Sequence, residues 1–112
     1  IGYSTGPSGK YLVALFERWG IAQQIASRIV QAPPGVPVAA LVARGDAPLG
    51  VVYGSDAQAE PGVHVLWEIP GDQHPPITYP AAALTPEGAR FMAILSSPQA
   101  AKIFANYGFG LP

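Results

Sequence analysis

The residues best placed to do chemistry in this sequence are not the charged ones. Gly6-Pro7-Ser8-Gly9-Lys10 and Pro33-Pro34-Gly35-Val36 each bring glycine to the expected start of a helix. Peptide N–H groups there lack intrahelical partners, and the helix dipole favours negative charge. Glycine also lets a ligand approach the backbone closely. Ser8, Gly9, Gly35 and Val36 are therefore candidates for holding an anion without any Lys or Arg, beside the plainer reading of Gly6–Gly9 as an ordinary strand-to-helix turn. Tyr53 ends an apolar run and offers a phenol, which adds one hydrogen-bond donor. Two other sets fail on spacing. Glu60, His64, Glu68, Asp72 and His74 match no metal-ligand pattern and spread over an expected strand and loop, so they read as surface polar residues. Ser55 and Asp56 lack the Gly-x-Ser-x-Gly setting of a nucleophile elbow, and Asp56 reads as turn or capping chemistry. No catalytic residue and no side-chain metal site is assigned.

The elements that must position these residues follow from the apolar spacing. A strand within Ile1–Ser4 leads into the first turn, and Tyr11, Leu12, Leu15, Phe16 and Trp19 then recur at helical spacing until Gly20, with Ser8 as the expected N-cap. A short helix over Ala22–Ala26 precedes a strand over Arg28–Gln31, which stops at Pro33-Pro34. Pro37–Arg44 is predicted helical, and Leu49–Tyr53 is an apolar run suited to a strand covered on both faces. Strand, helix and strand in this order make a β-α-β unit, so an α/β fold is expected. A turn or short helix follows Ser55 and Asp56. Val63, Val65, Trp67 and Ile69 then alternate with His64, Leu66 and Glu68, which predicts a half-buried strand. Ile77–Leu84 is expected to be extended, with Pro80 marking an edge or crossover position. Thr85, Pro86 and Glu87 supply an N-cap, an N1 residue and a first-turn carboxylate for a helix to about Leu95. Pro98 opens a last helix with Ala100, Ile103, Phe104 and Tyr107 on one face.

Composition narrows the classes further. With 112 residues, 49% of them hydrophobic and 12% charged, the chain can bury one modest core. A net charge of -1 with six scattered Lys and Arg leaves no basic stripe, so nucleic acid is not an expected partner. The absence of cysteine removes disulfides and thiolate metal sites. No apolar run approaches the roughly 20 residues of a membrane span. The sequence opens at Ile1 with no charged segment or hydrophobic signal core, so either a processed start or a piece of something longer is expected.

Ala47-Pro48-Leu49-Gly50-Val51-Val52-Tyr53-Gly54-Ser55-Asp56-Ala57 closely resembles the matching segment of periplasmic molybdate-binding proteins. Gly6-Pro7-Ser8-Gly9-Lys10-Tyr11 is similar to that family's Pro-Ala-Gly-x-Tyr turn, Ile77-Thr78-Tyr79-Pro80-Ala81 to its crossover strand, and the segment from Gln99 to Phe109 to its terminal helix. The four segments occur in the family's order and cover essentially the whole chain.

The resemblance implies a second ligand-binding lobe over residues 1–84. That lobe would be a three-layer α/β sandwich of the periplasmic-binding-protein-like fold, with a mixed, mostly parallel sheet. Residues 85–112 would be a C-terminal helical tail that packs on a first lobe absent here. The implied function is the periplasmic substrate-binding component of an ABC transporter, a solute-binding protein that delivers molybdate, tungstate or a similar oxyanion to a membrane permease. It would use no cofactor and no catalysis. Ligand contacts would fall at Ser8, Gly9, Gly35, Val36 and Tyr53, and two serine-containing turns of the first lobe would supply the rest. Ser8 stands where the family has Ala, and Gly35 with Val36 stands near its Asn/Asp-Val. Because the tail's apolar stripes need a cover, a homodimer or domain-swapped dimer is expected. The alternative function is an oxyanion or small-ligand sensing domain of a regulatory protein, which a helix-turn-helix in the same reading frame would favour.

Overall fold

In the computed structural model, which describes residues 1–111, Gly2–Tyr3 forms β1 and Val30–Gln31 forms β2. The two pair in parallel, Gly2 opposite Val30 and Tyr3 opposite Gln31. The Ile1 and Tyr3 carbonyls accept from Val30 and Ala32 at 2.9 and 2.8 Å, whereas Gly2 donates to Leu49 at 2.7 Å and accepts from Val51 at 3.0 Å. Successive residues of a strand address opposite edges, so β1 lies between β2 and the segment that bridges in parallel at Gly50. The strand expected over Leu49–Tyr53 is thus reduced to one bridge. β1 is only two residues long, because Gly6 and Pro7 divert the chain into a helix, and no further backbone remains for Val52 and Tyr53 to pair with.

Helix α1, Pro7–Arg18, buries Gly9, Leu12, Leu15 and Phe16, the stripe its spacing predicts. Trp19 stays exposed at the rim, its ring centroid 6.3 Å from that of Trp67. Helix α2, Ala22–Ile25, and a 3-10 turn over Ala26–Arg28 lead into β2. Helix α3, Val38–Ala43, rests on glycine: a Cβ built at Gly50 would lie 2.8 Å from both Val38 Cγ1 and Val42 Cγ2. Ala32, Val38 and Leu41 form the core cluster beneath it, joined by Val36 and Val52. Gly20 and Gly45, at φ 71° and 81°, close α1 and α3 with left-handed caps. In each, the next residue's N–H reaches back to an orphan carbonyl, Ile21 to Phe16 and Asp46 to Leu41.

Helix α4, Gly54–Ala59, follows the Gly50 bridge, and a 3-10 turn occupies Gly71–Gln73. The strand expected over Val63–Ile69 does not form. Leu66 and Trp67, on opposite faces of the alternation, are 79% and 63% exposed, Val63 and Ile69 are only half-buried, and no strand lies alongside among the described residues. Ile77–Leu84 is likewise unpaired.

Two compact units result, Ile1–Pro75 and the residues from Pro76 onward. The second unit contains α5, Pro86–Leu95, and α6, Pro98–Asn106. Thr85 Oγ1 accepts from the Gly88 N–H at 3.0 Å and Ser97 Oγ from the Ala100 N–H at 3.2 Å, each satisfying an N-terminal donor. Neither helix buries a residue, and Phe91, Ile94 and Ile103 are 59%, 63% and 59% exposed. No helix among the described residues is long and apolar enough to cross a membrane.

Candidate functional site

The first candidate segment begins where β1 ends. Gly6, not Ser8, is the N-cap of α1, with φ -83° and ψ -167°, and Pro7 takes the first helical position. Proline carries a pre-set helical φ and needs no N–H there, so the helix starts before Ser8, which becomes a first-turn residue. The capping is done from further back. Ser4 Oγ accepts from the Gly6 and Gly9 N–H groups at 3.2 Å each and lies 2.7 Å from Ser8 Oγ. Gly9 is required by space, since a Cβ there would lie 1.8 Å from the Ser4 carbonyl oxygen. Its buried amide is held by Ser4.

The second segment leaves β2. The Val36 N–H donates to the Pro33 carbonyl at 3.0 Å, with Pro34 next and Gly35 at φ 77°; this is the proline-then-glycine pattern of a type II turn. Gly35-Val36 is therefore a turn that precedes a helix and not the helix start that was expected. Pro37 disfavours helical geometry at Val36, takes the N-cap position itself, and delays α3 until Val38.

The third segment leaves the Gly50 bridge. Tyr53 was expected to close a strand and instead caps α4, at φ -65° and ψ 146°. Its carbonyl accepts from the Asp56 and Ala57 N–H groups at 3.0 and 3.1 Å. Asp56 lies in the first turn of α4, where a carboxylate complements the dipole. The helix start at Gly54 was missed in the sequence, where the turn was placed after Ser55 and Asp56; the signal was the acidic residue three positions beyond Tyr53.

The first two segments depart from the carboxyl ends of the parallel strands β1 and β2, and the third from just beyond the parallel bridge at Gly50. Beside the first of them an open groove of about 450 Å³ runs along α1, lined by Tyr3, Ser4, Thr5, Lys10, Glu17 and Gln31 among others. Gly9, a candidate from the sequence, also lines it, whereas Tyr3, Ser4, Thr5, Glu17 and Gln31 were not singled out there, although Tyr3 and Gln31 are the paired last residues of β1 and β2. His64, Glu68, Asp72 and His74 are placed on the surface or close to it, and no group of three metal-ligating side chains occurs among the described residues.

A family model described as "Bacterial extracellular solute-binding protein" matches residues 1–110. This chain belongs to that family. Among the relatives of this chain, the molybdate-binding protein ModA of Escherichia coli (strain K12) is 38% identical over 109 residues, covering 92% of this chain and 42% of the relative. Its namesake in Haemophilus influenzae (strain ATCC 51907 / DSM 11121 / KW20 / Rd) is 28% identical with the same coverage of both chains. An aconitate isomerase of Pseudomonas sp is 33% identical over 114 residues, covering 96% of this chain and 43% of the relative. The chain thus spans less than half the length of these relatives.

Proposed function

We propose that this chain is the second ligand-binding lobe, with its helical tail, of an ABC-transporter substrate-binding protein for molybdate or a similar oxyanion such as tungstate. The observation that carries the reading is the departure of three turns, at Ser4–Gly9, Pro33–Val38 and Tyr53–Asp56, from one end of the parallel pair β1 and β2 and of the segment bridged to it at Gly50. In open parallel sheets, ligands bind outside the carboxyl ends where the strand order reverses. Here β1 has β2 on one edge and the Gly50 segment on the other, which is such a point. Membership of a solute-binding family and two relatives named for molybdate binding support the same reading.

The donors in this proposal are neutral. They are the Ser8 hydroxyl and amide, the Gly35 amide and the Tyr53 phenol, the Gly9 and Val36 amides being held by Ser4 and by the Pro33 carbonyl, and each charge-assisted bond contributes roughly 1.5–3 kcal/mol. With crossovers of the usual right hand, from β1 to β2 and from β2 to Gly50, α1 and α3 would fall on opposite faces of the strands in three layers. The lobe ends at residue 84, and residues 85–112 form the tail that a first lobe covers in the full-length protein. That protein is periplasmic, closes by a hinge on its ligand, and hands it to a membrane permease with no cofactor and no covalent step.

The test is calorimetric titration of the full-length protein with molybdate, tungstate, sulfate and phosphate, together with an aconitate isomerase assay. Saturable molybdate or tungstate binding without turnover is expected. Absence of saturable binding of any of the four oxyanions, or conversion of cis- to trans-aconitate, would overturn the proposal.

A further inference from the structure

We infer that Ser4 is a positioning residue that makes the Ser8 hydroxyl a dedicated donor to the bound oxyanion; this rests on the oxyanion reading of the site given above. A serine hydroxyl has two lone pairs and one hydrogen. Both lone pairs of Ser4 Oγ are engaged, one by the Gly6 N–H and one by the Gly9 N–H, each at 3.2 Å. Its single hydrogen is then left for Ser8 Oγ, 2.7 Å away. That distance is normal for an O–H···O bond, and the assignment fixes a direction that the separation alone does not. Ser4 donates and Ser8 accepts.

The consequence falls on Ser8. Its own hydrogen cannot return to Ser4, whose acceptor positions are filled, so it is directed to a group outside the pair. Accepting a bond polarises a hydroxyl and strengthens the bond it donates, which suits an acceptor-only oxyanion. Ser8 lies in the first turn of α1 and is half-buried, so its rotation is restrained while a route to ligand remains. Ser4 acts entirely through this contact and through the amides it occupies. The Gly9 amide is thereby committed to Ser4, and the hydroxyl of Ser8 takes the place of that amide as the donor this turn offers.

The experiment is calorimetric titration of molybdate into the full-length protein and its Ser8→Ala, Ser4→Ala, Ser4→Thr and double Ser4→Ala/Ser8→Ala variants, with thermal unfolding measured on each. Ser8→Ala is expected to weaken binding about tenfold, as loss of one charge-assisted donor does. Ser4→Ala is expected to weaken it to a similar degree, the double variant no further than Ser8→Ala alone, and Ser4→Thr to keep near wild-type affinity. A purely structural role of Ser4 would lower stability and affinity equally in both backgrounds, and that additive result would overturn the inference. So would unchanged affinity in Ser8→Ala. Should Ser4→Ala not fold, Ser4→Cys, a much weaker donor, takes its place under the same criteria. If the wild type binds molybdate while these variants behave additively, only the role of Ser4 fails; if it binds no oxyanion, the reading of the whole site fails and this inference with it.

Discussion

Three residues of the site region owe their identity to different physics, and substitution separates them. Gly9 is fixed by contact, because a Cβ would sit 1.8 Å from the Ser4 carbonyl oxygen and neither backbone can yield without breaking the start of α1. Gly9→Ala is expected to destabilise by about 3 kcal/mol, at the upper end of overpacking costs, as read from denaturant unfolding. Gly35 is fixed by conformation alone. Nothing lies within 4 Å of its Cβ position, but φ is 77°, so Gly35→Ala should cost only the left-handed penalty of about 1–2 kcal/mol. Tyr53 is proposed to act through its oxygen, and Tyr53→Phe in the full-length protein is expected to weaken molybdate affinity about tenfold with little change in melting temperature. An unchanged dissociation constant would remove the phenol from the site. Of these residues the sequence made Gly9 legible as part of the turn into α1, whereas Gly35 reads there as a helix start and lies in a turn. The sequence did not reveal Ser4, whose role depends on a hydroxyl returning to a helix start that local spacing does not encode.

At the scale of elements, what was legible was local. Thr85 and Pro86 announce α5 because a cap and a first-turn proline interact only with their own turn, and the Ser97-Pro98 pair does the same for α6. Thr85→Ala and Ser97→Ala are each expected to cost about 1 kcal/mol, seen as reduced helicity by circular dichroism during thermal unfolding. Ser8 was misread as a cap although Pro7 already marked the first helical position. What was not legible was pairing. The alternation from Val63 to Ile69 is as regular as a strand requires, yet a strand exists only beside a partner, and Leu66 and Trp67 remain in solvent on both faces. For Leu49–Tyr53 the apolar run was right in kind, but β1 is too short to pair beyond Gly50.

For the molecule as a whole, the uncovered faces of α5 and α6 are the largest departure from a self-sufficient fold. Phe91, Ile94, Ile103 and Tyr107 present apolar surface to water, and contiguous patches of this kind mark interaction sites. In the full-length protein the proposed cover is the first lobe; for this chain by itself a dimer is expected. Light scattering at high protein concentration should give twice the 11.6 kDa chain mass, and Ile103→Glu should return it to the monomer. A monomeric wild type would count against the exchange of helices.

The placement of β1 between its two neighbours also sets the tempo of folding. Both of its partners, Val30 and Gly50, come from far along the chain, so no hairpin or other local ladder is available to nucleate the sheet. Long loops must close before either contact forms, and contact order of this sort slows folding. The helices, whose caps and glycine stops are all local, can therefore fluctuate into shape first and wait for the strands to find their register.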